Sequence, residues 1–113
     1  MSAITTHVLD TARGRPAAGV PITLEIDDGG SWRRLGHGVT DGDGRLRDLL
    51  PGGQRAAAAV YRLTFDTGAY FAAIGVDGFY PVVQVVFHLS RPDEHHHVPL
   101  LLSPFGFSTY RGS

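Results

Sequence analysis

Apolar and polar residues alternate with a period of two along most of this chain, the pattern of half-buried strands. The stretch Ile4–Asp10 predicts a first strand, with Thr5, His7 and Leu9 on one face and Ile4, Thr6 and Val8 on the other. Residues 11–19 carry Gly14, Pro16 and Gly19 and predict a loop. Residues 20–26 alternate again, with Val20, Ile22, Leu24 and Ile26 inward and Thr23 and Glu25 outward. Asp27-Asp28-Gly29-Gly30 is a hairpin turn, and Trp32–Val39 returns as a third strand. Trp32 reads as sheet packing. A short strand starts at Leu46, and residues 49–53 make another turn.

In the second half, residues 60–65 predict a strand, although the alanines before it would also suit a helix. A short helix is predicted over residues 69–74, capped by Asp66 or Thr67 and ended by Gly75. Phe79-Tyr80-Pro81 is a loop. Residues 82–89 are nearly continuous Val, Phe and Gln and predict a buried strand. Ser103-Pro104-Phe105-Gly106 fits a type I turn joining two antiparallel strands, residues 95–102 and 107–111. Pro99 cannot donate to a ladder, so it predicts an edge or a local irregularity there. Val98, Leu100 and Leu102 share one face; His95, His97, Pro99 and Leu101 share the other. Exposed apolar residues beside those histidines suggest contact with another subunit. About eight short strands with one late helix predict an all-β sandwich, formed as a single domain over residues 1–113.

Composition narrows the function classes. At 113 residues, 42% hydrophobic and 19% charged, the chain can bury a core without staples. A net charge of −1 leaves no electrostatic footprint for nucleic acid or an anionic membrane, and it permits association between copies. The absence of cysteine removes disulfides, thiolate catalysis and Cys-based zinc sites. No run approaches the roughly 20 apolar residues of a membrane span. The first residues have neither a basic start nor an apolar run. A cytoplasmic protein is expected.

Three polar foci remain: His7, Arg45 after its glycine turn, and His95 with His97. Thr40-Asp41-Gly42-Asp43-Gly44-Arg45 spaces its acids like a calcium loop but lacks the later bidentate glutamate, so it predicts a tight turn that aims Arg45. A neutral histidine can act as general base near pH 7, and an arginine can hold an anion or stabilise an oxyanion. With no Gly-x-Ser-x-Gly elbow and no cysteine, attack by activated water suits this inventory better than an acyl-enzyme. His95 and His97 project from one strand face, so with His7 they could also form a three-histidine metal site. Surface histidines are the third reading. Spacing alone leaves all three open.

The segments ITTHVLD (4–10), GRPA (14–17), TDGDGR (40–45), HVPLLLSP (97–104) and the closing YRGS (110–113) together resemble the 5-hydroxyisourate hydrolase (transthyretin-related) family of urate breakdown. The resemblance covers the whole chain. It implies a transthyretin-like sandwich of two four-stranded sheets with one short helix, assembled as a homotetramer (a dimer of dimers) with active sites at the dimer–dimer interface. It implies hydrolysis of 5-hydroxyisourate to 2-oxo-4-hydroxy-4-carboxy-5-ureidoimidazoline, with no cofactor and no metal. The family's catalytic set maps onto His7, Arg45, His97 and Ser113, with His7, Arg45, Tyr110 and Arg111 contacting substrate. The closing Tyr-Arg-Gly-Ser separates the hydrolases from the hormone carriers, the alternative reading being a small-ligand carrier. One departure is His96, where relatives carry tyrosine; alternation points it away from His97.

Overall fold

The computed structural model describes residues 3–50 and 55–113. Among them the chain forms β1 (Ile4–Asp10), β2 (Arg15–Pro16), β3 (Pro21–Asp27), β4 (Trp32–Val39), β5 (Arg45–Leu46) and β6 (Ala59–Phe65). Helix α1 (Thr67–Ala73), β7 (Val83–Leu89), β8 (His96–Ser103) and β9 (Gly106–Thr109) complete it. One sheet has the order β4-β3-β6-β7 and is antiparallel throughout. The other runs β2-β1-β8-β9, with β5 also pairing β1. The two-residue strands β2 and β5 pair with successive parts of β1, so this sheet is four strands wide although it counts five.

The core lies between the sheets. Ile4, Val8, Val98, Leu100 and Leu102 enter from one side, and Ile22, Leu24, Tyr61, Leu63 and Phe65 from the other. Alternation predicts the shared faces of Ile4 with Val8, of Val98 with Leu100 and Leu102, and of Ile22 with Leu24; Ile26, expected inward as well, is only partly buried. Thr6 lies on the same face as Ile4 and Val8, and its buried hydroxyl donates to the Val98 carbonyl at 2.6 Å, which offsets its desolvation. On the outer face of the β4-β3-β6-β7 sheet, Arg62 pairs with Glu25 at 2.7 Å and lies 4.5 Å over the Trp32 ring. Trp32 thus packs on the sheet.

The helix starts directly after its Asp66 cap, two residues before the predicted span of 69–74. The Asp66 side chain accepts from the Ala69 amide at 3.0 Å, and Gly75, at φ +70, follows the last turn. Its buried face holds Tyr70, whose hydroxyl donates to Asp10 at 2.7 Å. Asp10 is only 1% exposed and also accepts from the Arg13 amide. A buried carboxylate therefore ties the helix to the end of β1.

Two open alternatives are decided and one expectation needs correction. The alanines at 56–58 form no helix; the chain there leads into β6. Strand β7 is not buried throughout, because it is a sheet edge with one face on the core: Val86 is 57% exposed while Val83 and Leu89 are buried. Strand β8 is no edge either. It lies between β1 and β9, and Pro99 appears instead as an irregularity. The β8–β9 ladder runs to Leu100↔Thr109, then resumes in the same register only at the His97↔Gly112 bridge. Between them Pro99 would be the hydrogen-bonded partner of Tyr110, and it has no N–H to give. The turn predicted over residues 49–53 lies partly outside the described residues.

Candidate active site

The outer face of the β1–β8 pair carries the site. These two strands run parallel, with Thr5↔His97 and His7↔Pro99 as partners. Strand β5 adds Arg45 directly opposite His7 on the other side of β1. That placement depends on the turn before it. The Asp41 carboxylate accepts from the amides of Asp43 and Arg45 at 2.9 and 3.0 Å, and the Arg45 N–H is the main reason its carboxyl titrates below the usual range. Gly44 sits at φ +75, with its carbonyl on the Val8 amide, and a Cβ there would collide with the Val8 carbonyl oxygen. The polar turn therefore aims Arg45 across β1, as the sequence predicts.

One open cleft gathers Thr5, Arg45, Arg47, His95, His97 and Ser113. The chain end reaches it because Gly112 bridges His97, its amide donating to the His97 carbonyl at 2.8 Å. A Cβ on Gly112 would lie 2.8 Å from His97 Cδ2 and 3.0 Å from Pro99 Cγ. Glycine is what lets the last residues lie flat against the imidazole.

His97 is part-buried, and its pKa is lowered from the ordinary histidine value. Desolvation is the largest cause, followed by the charges of His95, Arg45 and His7. A neutral ring beside a guanidinium at pH 7 can accept a proton. Arg45 has no carboxylate within ion-pair reach among the described residues, so its charge is free for a substrate. His7 Nε2 lies 2.9 Å from the Asp43 carbonyl. A carbonyl only accepts, so this nitrogen carries the proton and Nδ1 of a neutral His7 is left to accept.

Of the residues singled out from sequence, Arg45, His97 and Ser113 line the cleft together, and His7 stands beside Arg45 on β1. Tyr110 and Arg111 sit elsewhere, along an apolar hollow shared with Val86, Phe87 and Val98. There Arg111 pairs with Glu94 at 3.0 Å. His97 lines both spaces and joins them. His96 points to the core side, 5% exposed, with Nδ1 on the Glu94 carbonyl. Among the described residues no three His, Cys, Asp or Glu side chains are grouped to hold a metal ion.

Sequence reasoning missed Thr5 and Arg47 as site residues. Thr5 shares the His7 face by simple alternation, but only the parallel register shows that it lies against His97. Its hydroxyl is 2.8 Å from His95 Nε2 and 2.8 Å from His97 Nδ1.

Residues 4–112 match the family described as HIUase/Transthyretin. A 5-hydroxyisourate hydrolase of Caulobacter vibrioides is 47% identical over the full length of both chains. The structure of Klebsiella pneumoniae 5-hydroxyisourate hydrolase superposes with a TM-score of 0.86 at 36% identity, covering both chains completely. Sea bream transthyretin in complex with thyroxine gives 0.89 at 34% identity, covering 97% of this chain and 94% of its own. The family match over residues 4–112, the identity to the relatives and the superpositions agree: the chain belongs to the HIUase/Transthyretin family.

Proposed function

We infer that this protein is a 5-hydroxyisourate hydrolase of urate degradation, opening its substrate to 2-oxo-4-hydroxy-4-carboxy-5-ureidoimidazoline. The observation that carries the reading is the shared cleft of His97, Arg45 and Ser113, with His7 in register beside Arg45. The relatives named hydrolases support it by identity; fold likeness alone does not choose, since a thyroxine-bound transthyretin superposes as well.

In the proposed mechanism a water is held between His97, His7 and Ser113. His97 takes a proton from it as the water oxygen adds to a ring carbonyl carbon. The carbonyl oxygen becomes an oxyanion, whose charge Arg45 offsets. Collapse breaks the carbonyl C–N bond, and the nitrogen leaves with the proton that His97 returns. Substrate-contact roles for Tyr110 and Arg111 need a second copy, because within one chain both lie along the hollow on the far side of His97.

A homotetramer, as a dimer of dimers, fits that need. Strands β7 and β9 are the edges of their sheets, and Val86 on β7, Phe107 on β9 and Tyr110 just after it are 57%, 41% and 57% exposed. Open edges with apolar side chains favour pairing with a second copy. Light scattering on the purified protein tests the assembly. No helix among the described residues is long and apolar enough to cross a membrane; a cytoplasmic location belongs to the same reading and is tested by cell fractionation.

The deciding experiment mixes the protein with freshly made 5-hydroxyisourate and follows its ultraviolet decay. Catalysed decay at enzyme-proportional rate is expected. A rate equal to the spontaneous one, with saturable binding of an aromatic ligand, would establish a carrier instead.

A further inference from the structure

We propose that Thr5 is a positioning residue for His97, and that His95, acting through the Thr5 hydroxyl, sets which nitrogen of His97 is free to accept a proton. The inference rests on His97 being the general base of the reaction above. It comes from one arrangement: a hydroxyl on a residue 4% exposed, held between two imidazoles.

A hydroxyl has one hydrogen. Thr5 Oγ1 lies 2.8 Å from both His95 Nε2 and His97 Nδ1, so it can donate to only one of them. The oxygen could accept from both rings, but this nearly buried hydroxyl has no other hydrogen-bond partner among the described residues, so its hydrogen goes to one ring and the other carries a proton and donates to Thr5. The two rings therefore cannot choose their tautomers independently. They project from alternate positions of the chain and lie nearly parallel, with centroids 6.1 Å apart and planes at 25°.

Only one of the two arrangements makes His97 useful. Its Nδ1 is taken up by Thr5 and its Cδ2 edge faces Gly112, which leaves Nε2 to reach a water or substrate. For Nε2 to be bare, the proton must sit on Nδ1 and be donated to Thr5. Thr5 must then donate to His95 Nε2, and the His95 proton goes to its own Nδ1. His95 is exposed, so that Nδ1–H has solvent as a partner. In the reverse arrangement Thr5 donates to His97 Nδ1, the His97 proton sits on Nε2, and the ring presents N–H where a base is required. A histidine in water prefers its proton on Nε2, so the working form has to be imposed. The chain His95–Thr5–His97 imposes it, much as a carboxylate fixes the histidine of a hydrolase triad.

The test uses the full-length protein in three variants, Thr5→Val, Thr5→Ser and His95→Ala. Imidazole ¹⁵N shifts give the His97 tautomer without substrate, and steady-state kinetics with 5-hydroxyisourate give kcat and KM. The wild type is expected in the Nδ1–H form. Thr5→Val should move His97 toward the Nε2–H form and lower kcat by about 10- to 100-fold, with KM changed far less, as for other residues that orient a catalytic group from behind. Thr5→Ser, which keeps the hydroxyl, should restore both readouts. His95→Ala alters an exposed side chain and should shift the tautomer in the same direction, which keeps the proposal testable if Thr5→Val does not fold. An unchanged tautomer in both Thr5→Val and His95→Ala overturns the proposal. A wild type that fails to hydrolyse the substrate while the variants still shift the tautomer overturns the functional reading and leaves the coupling standing.

Discussion

His7 and Arg45 are direct partners in the antiparallel pairing of β1 with β5, although 38 positions of chain numbering separate them. A two-residue strand is too short to hold itself. Its place comes from the Asp41 carboxylate, which accepts from the amides on both sides of Gly44, and from the Gly44 carbonyl on β1. Asp41→Ala should therefore loosen Arg45, and it also releases Arg47 from its 3.7 Å ion pair with Asp41. The expected result is a lower kcat/KM with the fold intact by circular dichroism; an unchanged value would show that β5 is held otherwise.

Direct removal of the proposed machinery should cost more. His97→Asn is expected to lower kcat by about 10²- to 10⁴-fold, the usual worth of a placed acid–base group. Arg45→Ala should remove roughly 3–4 kcal/mol of transition-state stabilisation, the effect of losing one oxyanion donor. Steady-state rates with 5-hydroxyisourate measure both. Near-wild-type turnover in either variant would remove that residue from the mechanism.

The pH profile follows from the lowered pKa of His97. Burial, then the nearby His95, Arg45 and His7 charges, disfavour its imidazolium. The ring therefore stays neutral to lower pH than a free histidine, and the acid limb of kcat/KM should fall below the ordinary value of about 6.5. Arg45→Gln removes one of the opposing charges and should move the limb of the residual activity upward. The same shift acts on stability. Between the unfolded value and the lower folded one, the unfolded chain binds more protons, so folding stability declines as pH falls through that window and is unaffected by this group above it. Denaturation midpoints at pH 7.5 and pH 5.5, compared between wild type and His97→Asn, read this term.

Tyr70→Phe separates scaffold from chemistry. The lost hydroxyl leaves the buried Asp10 carboxylate with one fewer donor, which should cost about 1–3 kcal/mol of stability. Asp10 lies at the far end of β1 from Thr5, so kcat should stay within about twofold of wild type wherever the variant remains folded. Urea midpoints and kcat on the same preparation check the pair.

Period-two alternation makes the strands, the inward face of β8 and the outward face of His7 legible in the sequence alone. The Asp-Gly turn announces the aimed arginine, and Asp66 and Gly75 bound the helix. What stays hidden depends on pairing. Alternation puts Thr5 and His97 on outer faces of two strands but is silent on whether those strands are neighbours, and β1 and β8 pair in parallel across a sequence separation of 92. It also cannot say that β8 is interior while β7 is an edge, so Pro99 points to the wrong place for an edge and the valines of β7 read as buried. The conflict of Pro99 with its ladder is resolved only because the chain leaves the sheet after Thr109 and rejoins it at Gly112.

That return is the basis of a last prediction. Gly112 rests on the His97 ring and on Pro99, where a Cβ would stand 2.8 and 3.0 Å from their carbons. Pro99 is locked in β8, so in Gly112→Ala either the imidazole or the chain end must move. Little of the core is involved, because Gly112 lies on the outer side of the sheet and Ser113 is exposed. The thermal midpoint should therefore change by no more than a few degrees, the scale of about 1 kcal/mol in a domain of this size. Catalysis should suffer far more, since a displacement of about 1 Å in a reacting group can cost about 10²-fold. Rates and melts of Gly112→Ala against wild type test this together. Full activity would mean that neither the His97 ring nor Ser113 needs its present position.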